Sequence, residues 1–155
     1  MANKRLLKEV KLIDKELENY ENIISVLKPI NEDNLLQWEA LIHGPSATPY
    51  FNHTFKLNIN LPQDYPLKPP TIEFSPYHMP HCNVDFKTGE ICLNILNSDN
   101  WSPVWNLLYV MMAIYQLLSD PITDSPLNID ISNILKNNDI KAYNGLIAYY
   151  LHESK

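Results

Sequence analysis

Between His81 and Leu96 the chain reads HCNVDFKTGEICLNIL, a stretch that carries both of its cysteines, Cys82 and Cys92, with a histidine directly before the first. Three chemistries use such a segment: metal ligation, a disulfide, or a nucleophile with its supporting turn. Zinc would have to recruit His78, His81, Cys82 and Cys92. His81 and Cys82 are adjacent and cannot both turn toward one ion, and no CxxC or HxxxH clamp is present, so no metal is expected. A structural bridge between the cysteines is disfavoured in a reducing compartment. Cys82 reads as a small buried apolar side chain, because free cysteine is among the most buried residue types. Cys92 sits in GEICLNIL, where Gly89 permits a tight turn and Ile-Cys-Leu reads as a short extended piece against the core. Two readings of Cys92 stay open on these residues alone, a buried structural thiol and a nucleophile. A reactive thiolate wants a histidine or cation beside it, and spacing does not place His78 or His81.

Something must hold this stretch in place, and the elements on either side of it are readable. Leu6, Val10, Ile13 and Leu17 recur at helical spacing among lysines and glutamates, which predicts an amphipathic helix from about Asn3 to Tyr20. Ile23 to Ile30 is rich in β-branched residues. Leu36, Trp38, Ala40 and Ile42 alternate with polar residues, and so do Phe51, Phe55, Leu57, Ile59 and Leu61. GPSATPY forms the turn between these last two. The prolines of LPQDYPLKPPTIEF exclude a helix and lead along an extended path into a short strand, TIEF. From Pro76 to Ser102 no periodicity persists, and irregular loops of that length inside a domain are usually functional. Helical patterns return at Trp105 to Leu118, Ile129 to Leu135 and Asp139 to Leu151, the last with Tyr143, Ile147 and Tyr150 facing inward. Helix, antiparallel meander, long loop, helices is an α+β order, and residues 1–155 read as a single domain.

Composition narrows the functions open to such a domain. The 45% hydrophobic and 19% charged content is that of an ordinary globule rather than a disordered chain. A net charge of −6 argues against general nucleic-acid binding. Lys4, Arg5, Lys8, Lys11 and Lys15 concentrate positive charge near the N-terminus, as a solvated helix face or a docking face for an acidic partner. No apolar run is long enough to span a bilayer, and MANKRLLKEV lacks the apolar centre of a signal peptide. The ending HESK is neither a peroxisomal import tripeptide nor an ER-retention signal. The expectation is a chain on the cytosolic side that reaches any organelle through a partner.

At this point the residues resemble the active-site region of the ubiquitin-conjugating enzymes, whose pattern is His-Pro-Asn, a short loop, then Gly-x-Ile-Cys-Leu. Here it reads His81-Cys82-Asn83 and Gly89-Glu90-Ile91-Cys92-Leu93. KRLLKE, GPSATPY, YPLKPPTIEF, WSPVW and DPITDSPL fall in the family's order and spacing, so the resemblance covers about Lys4 to His152. Cys82 in place of proline, with HCNV, TGEICLNIL and DSPLNIDI, resembles the peroxisomal branch found in yeasts and other fungi.

The resemblance implies the family's fold, with an N-terminal helix, a four-stranded antiparallel meander, a long active-site loop and C-terminal helices. It implies that Cys92 takes ubiquitin from the activating enzyme as a thioester and that Asn83 steadies the oxyanion. An Asn83 that holds the loop through backbone hydrogen bonds is a compatible alternative. His81 is implied to buttress the loop, with Cys82 structural beside it. Ser125 stands where many relatives carry an aspartate at the mouth of the site, which fits a thiol acceptor better than a lysine. Asn97 replaces an arginine that links ligase binding to the site in many relatives. Lys4, Arg5 and Lys8 are implied to meet the activating enzyme and RING-type ligases, with Leu67, Ser102, Pro103 and Val104 completing the ligase surface. The implied partners are ubiquitin, the activating enzyme, RING-type peroxisomal ligases, a membrane-anchored peroxin, and the peroxisomal import receptor as substrate. No cofactor is expected, ATP being consumed by the activating enzyme. The implied place is the cytosolic face of the peroxisomal membrane, and the implied role is receptor recycling in matrix protein import. Two alternatives stand: a catalytically silent variant acting as a scaffold, and the same chemistry on another ubiquitin-like modifier. Retention of Cys92 and Asn83 speaks against the first.

Overall fold

In the computed structural model, which describes residues 2–153 with side chains from residue 4 onward, a single four-stranded antiparallel sheet in the order β1-β2-β3-β4 follows the first helix. That helix, α1 (Ala2–Glu16), buries Leu6 and Ile13 and tightens into a 3-10 turn at Leu17–Tyr20. The strands are β1 (Ile24–Asn31), β2 (Asn34–His43), β3 (Thr54–Asn60) and β4 (Thr71–Phe74). Their alternation is that of a sheet with one covered face. Trp38, Ala40 and Ile42 of β2, Phe55, Leu57 and Ile59 of β3, and Ile72 and Phe74 of β4 are all buried. Each large side chain so buried contributes about 1.5–3 kcal/mol, so the pattern decides which face turns inward.

Helix α2 (Leu107–Ser119) covers that face with Val110, Met111, Ile114 and Leu118, capped at its start by Asn106, whose Oδ1 accepts the Tyr109 N–H at 2.8 Å. Helices α3 (Ile129–Lys136) and α4 (Ile140–Glu153) complete the chain, α4 burying Tyr143, Ile147 and Leu151. Residues Ser154 and Lys155, half of the HESK ending, lie outside the described residues.

Two boundaries differ from the periodic reading. Phe51 is not part of β3; it is 53% exposed in a turn where Asn52 has φ +68°, while Tyr50 takes the buried place. Period-two alternation continued by chance through a turn that the following left-handed residue defines. Trp105 likewise precedes α2, because Asn106 is its N-cap. In β1 a register shift between Ile24 and Val26 breaks the alternation, leaving Ile24 and Leu27 as its buried residues.

Candidate active site

The irregular stretch contains a miniature hairpin. Val84 and Ile91 form an isolated antiparallel bridge, and the Asp85 N–H donates to the Glu90 carbonyl at 2.9 Å. Its tip is an Asx turn in which Asp85 Oδ1 accepts the Lys87 and Thr88 N–H groups at 2.9 and 3.3 Å. Gly89 makes the return possible. Its φ is +82°, and a Cβ there would lie 1.8 Å from the Phe74 carbonyl oxygen, while the Phe74 N–H donates to the Gly89 carbonyl at 2.9 Å. The hairpin is thereby pinned to β4. Phe86 at its tip packs against Tyr77 and against Tyr150 of α4, with ring centroids 5.7 and 5.0 Å away.

Cys92 follows this hairpin. Its backbone N–H donates to the Asn83 carbonyl at 2.8 Å, and its side chain is half-buried, a free thiol within reach of solvent. On the other side of the Cys82–Asn83 backbone lies the segment leading to α3. The Leu127 and Asn128 N–H groups donate to the Cys82 carbonyl at 2.8 and 3.0 Å. Residues 82–83 are therefore a rail with the thiol on one flank and the Ser125 segment on the other.

Asn83 is 1% exposed and links the two flanks. Its Oδ1 accepts the Ile122 N–H at 2.8 Å and the Cys82 thiol at 3.3 Å. Its Nδ2 donates to the Ile122 carbonyl at 2.7 Å and to the Ser125 carbonyl at 3.4 Å. A carboxamide has two donor hydrogens and two acceptor lone pairs, and here all are engaged. Ser125 itself is exposed, with a neutral side chain at the outer edge of this arrangement.

His81 is fully buried, and both ring nitrogens are committed. Nδ1 must accept, because its partner at 3.0 Å is the Asn83 backbone N–H, so Nε2 carries the proton that goes to the Leu117 carbonyl at 2.9 Å. Burial pushes the imidazole down to about 4, against a smaller opposing effect of the Leu117 carbonyl. His81 is a neutral strut between the rail and α2. The Tyr50 ring lies 6.0 Å from it, and the Tyr50 hydroxyl donates to the Pro80 carbonyl at 2.7 Å. Cys82 is buried too, and burial pushes its thiol up to about 11, which keeps it protonated at neutral pH. His78 is exposed and turned to the Pro76 carbonyl, 2.7 Å from Nδ1. Among the described residues, no three His, Cys, Asp or Glu side chains converge as a metal set would.

The residues assigned to partner docking fall together in a second region. Leu67 is 67% and Val104 81% exposed, and their loops are tied by the Trp101 indole, which donates to the Pro66 carbonyl at 2.7 Å. Pro103 is exposed and Ser102 partly so. Lys4 and Lys8 are exposed on α1, but Arg5 is turned inward, where its guanidinium reaches the Pro103 and Trp105 carbonyls and the carboxylate of Glu9. These contacts tie the Arg5 guanidinium to the Pro103–Trp105 backbone while leaving it partly exposed. Sequence reading missed Glu9, although its position was a signal: it falls three residues after Leu6 and four before Ile13, on the apolar stripe. Ile122, whose backbone holds Asn83, carried no comparable signal.

The ubiquitin-conjugating enzyme family model matches residues 5–150. The chain is 47% identical to the ubiquitin-conjugating enzyme E2-21 kDa of Saccharomyces cerevisiae, over 96% of this chain and 85% of that protein. It is 42% identical to the protein PEROXIN-4 of Arabidopsis thaliana, over 94% and 90%. Among solved structures, the H. polymorpha ubiquitin conjugating enzyme Pex4p, in complex with the soluble domain of Pex22p, superimposes with a TM-score of 0.91 at 40% identity, covering 97% of this chain and 96% of that one. With the family match spanning nearly its whole length, the chain belongs to the ubiquitin-conjugating enzymes, similar to their peroxisomal members.

Proposed function

We propose that Cys92 accepts ubiquitin from the activating enzyme and passes it, with RING-type ligases, to the peroxisomal import receptor, allowing that receptor to be recycled. The observation that carries this is the half-exposed free thiol of Cys92, its backbone docked on Asn83, beside a second thiol that is buried and protonated. In the charging step the Cys92 sulfur attacks the carbonyl carbon of ubiquitin's C-terminal glycine in the activating enzyme's thioester. The new C–S bond forms as the old one breaks, and the activating enzyme's thiol leaves with the proton. A thiol suits both halves, being intrinsically nucleophilic and a good leaving group. In the second step the acceptor's thiol or amine displaces Cys92 in the same way. Asn83 Nδ2 is the candidate to stabilise the oxyanion, by exchanging its longest hydrogen bond, to the Ser125 carbonyl, for the developing charge. ATP is consumed by the activating enzyme, and the chain itself needs no cofactor.

The peroxisomal part of the proposal rests on the relatives named PEROXIN-4 and on Pex4p bound to the soluble domain of Pex22p. Among the described residues no helix is long and apolar enough to cross a membrane, so a membrane-anchored peroxin would hold the chain at the cytosolic face. Mixing the protein with activating enzyme, ATP and ubiquitin tests the chemistry. An adduct about one ubiquitin heavier, lost on reduction, is expected with the native chain and with Cys82→Ala, and absent with Cys92→Ala. No adduct at all would favour the scaffold reading. An adduct formed only when another modifier replaces ubiquitin would redirect the specificity. Loss in Cys82→Ala alone would overturn the choice of nucleophile.

A further inference from the structure

The carboxylate of Glu9 is 3% exposed, an uncommon place for a charge on an amphipathic helix. Its Oε1 accepts the Leu107 N–H at 2.7 Å, the first helical N–H of α2, where a negative charge complements the helix dipole. Its Oε2 accepts from the Tyr65 hydroxyl at 2.6 Å and from Arg5 Nε at 3.1 Å. Arg5 then extends across to the next loop. Nη1 donates to the Pro103 carbonyl at 2.7 Å and Nη2 to the Trp105 carbonyl at 2.5 Å. The guanidinium also lies 5.7 Å from the centroid of the Tyr65 ring. Tyr65 in turn packs 6.3 Å from Trp101, whose indole holds the Pro66 carbonyl beside Leu67. One ion pair, its carboxylate buried and its guanidinium partly exposed, thus joins α1, the Tyr65–Leu67 turn, the Ser102–Trp105 loop and the start of α2.

We propose that the Arg5–Glu9 pair is a positioning device for the Ser102–Trp105 loop: Arg5 acts on ligase engagement through the backbone of that loop and not as a contact offered to the partner. The planar fork of an arginine places two donors on carbonyls two residues apart while a third faces Glu9; a lysine, with a single ammonium, cannot reproduce that fork. Glu9 is the fixed end, since it is buried and hydrogen-bonded to α2 and Tyr65 as well. The loop that displays Val104 at 81% exposure is therefore held by a guanidinium that is itself fixed on a buried carboxylate.

This proposal rests on the reading of Leu67 and Ser102–Val104 as the ligase surface, and its test separates the two. Glu9 is unsuited as the test site because its removal endangers folding; Arg5→Met, a change at a partly exposed position, is the working variant. Backbone amide and Trp105 indole resonances are recorded on the free enzyme. Discharge of the ubiquitin-charged enzyme to free cysteine is measured with and without a RING domain selected because it stimulates the native protein. Expected are shifts at Val104 and Trp105 in the free Arg5→Met protein. The ratio of stimulated to unassisted discharge falls about tenfold, as for loss of one hydrogen bond to a charged group, with partial rescue in Arg5→Lys. Lys4→Ala and Lys8→Ala leave the loop resonances in place. Unmoved loop resonances in Arg5→Met overturn the proposal. So do moved resonances with stimulation intact, provided Val104→Arg lowers stimulation. If Val104→Arg also leaves stimulation intact, the ligase-surface reading fails instead, and the resonances alone decide on the positioning role: shifts sustain it and their absence overturns it.

Discussion

Asn83 and Ile122 are joined at both ends of one side chain: the carboxamide accepts the Ile122 N–H at 2.8 Å and donates to the Ile122 carbonyl at 2.7 Å. The side chain imitates a strand partner for this segment. It keeps the chain between α2 and α3 against the rail that also carries the Cys92 N–H. Asn83→Ala removes the partner of the Ile122 N–H and leaves the Ile122 carbonyl with only the long contact to the Cys82 thiol at 3.8 Å, in a part-buried place. A loss of about 1–3 kcal/mol in denaturant unfolding is expected. Ubiquitin discharge should slow more than that loss explains, by about a hundredfold or more if Nδ2 also serves the oxyanion. Slowed discharge at native stability would assign Asn83 to the oxyanion alone. Lost stability with native discharge would assign it to the loop alone.

His81 gives the fold an acid dependence. Its folded value of about 4 lies below the ordinary histidine value of about 6.5, so between these values the unfolded chain binds a proton that the folded chain refuses. The contribution is full at neutral pH and is lost as pH falls from about 6.5 to about 4, amounting to about 3 kcal/mol across the window. His81→Gln retains a donor for the Leu117 carbonyl and cannot titrate. Unfolding free energies at pH 7, 5.5 and 4.5 should fall less steeply for this variant than for the native chain. Parallel slopes would show that other groups set the acid sensitivity.

The chain's two kinds of glycine predict opposite signs. Gly89→Ala places a methyl group 1.8 Å from the Phe74 carbonyl oxygen at φ +82°, so the hairpin must leave β4. Strain alone costs about 1–3 kcal/mol, and charging of Cys92 should fall with it. Gly145 lies inside α4 with nothing within 4 Å of an added Cβ. Gly145→Ala should stabilise by about 0.5–1 kcal/mol, with charging unaffected. Thermal unfolding of the two variants side by side checks both signs.

The same contrast explains what was legible in advance. Leu57 and Ile59 declared their strand because burial on one face imposes a period of two, and Leu6 and Ile13 declared α1 by a period near 3.6. Phe51 misled because alternation does not stop at a turn whose geometry depends on a single left-handed residue. Cys92 was visible as a cysteine after Gly89, yet its separation from Cys82 in exposure comes from backbone pairing to Asn83 and from segments some forty residues away. Arg5 illustrates the same limit: charge on a helix reads as solvated until a distant loop, here Pro103 to Trp105, supplies acceptors.

The proposed thiol acceptor gives Ser125 a testable role. A lysine must lose a proton with a pKa of about 10.4 before it attacks, a cysteine one of about 8.5, so at neutral pH the reactive fraction differs about 80-fold before any help from the enzyme. An aspartate at the mouth of the site would narrow that gap by attracting the ammonium and taking its proton. The exposed hydroxyl of Ser125 carries no charge for this, and its backbone carbonyl already accepts from Asn83 Nδ2 at 3.4 Å. Single-turnover discharge of the charged native enzyme should therefore favour free cysteine strongly over free lysine. Ser125→Asp should raise lysine discharge about tenfold and leave cysteine discharge level or lower, since a carboxylate repels the incoming thiolate. Native discharge to lysine at the rate seen with cysteine would remove the reason for reading Ser125 as the mark of a thiol acceptor. Two rates, each measured before and after one substitution, decide the matter.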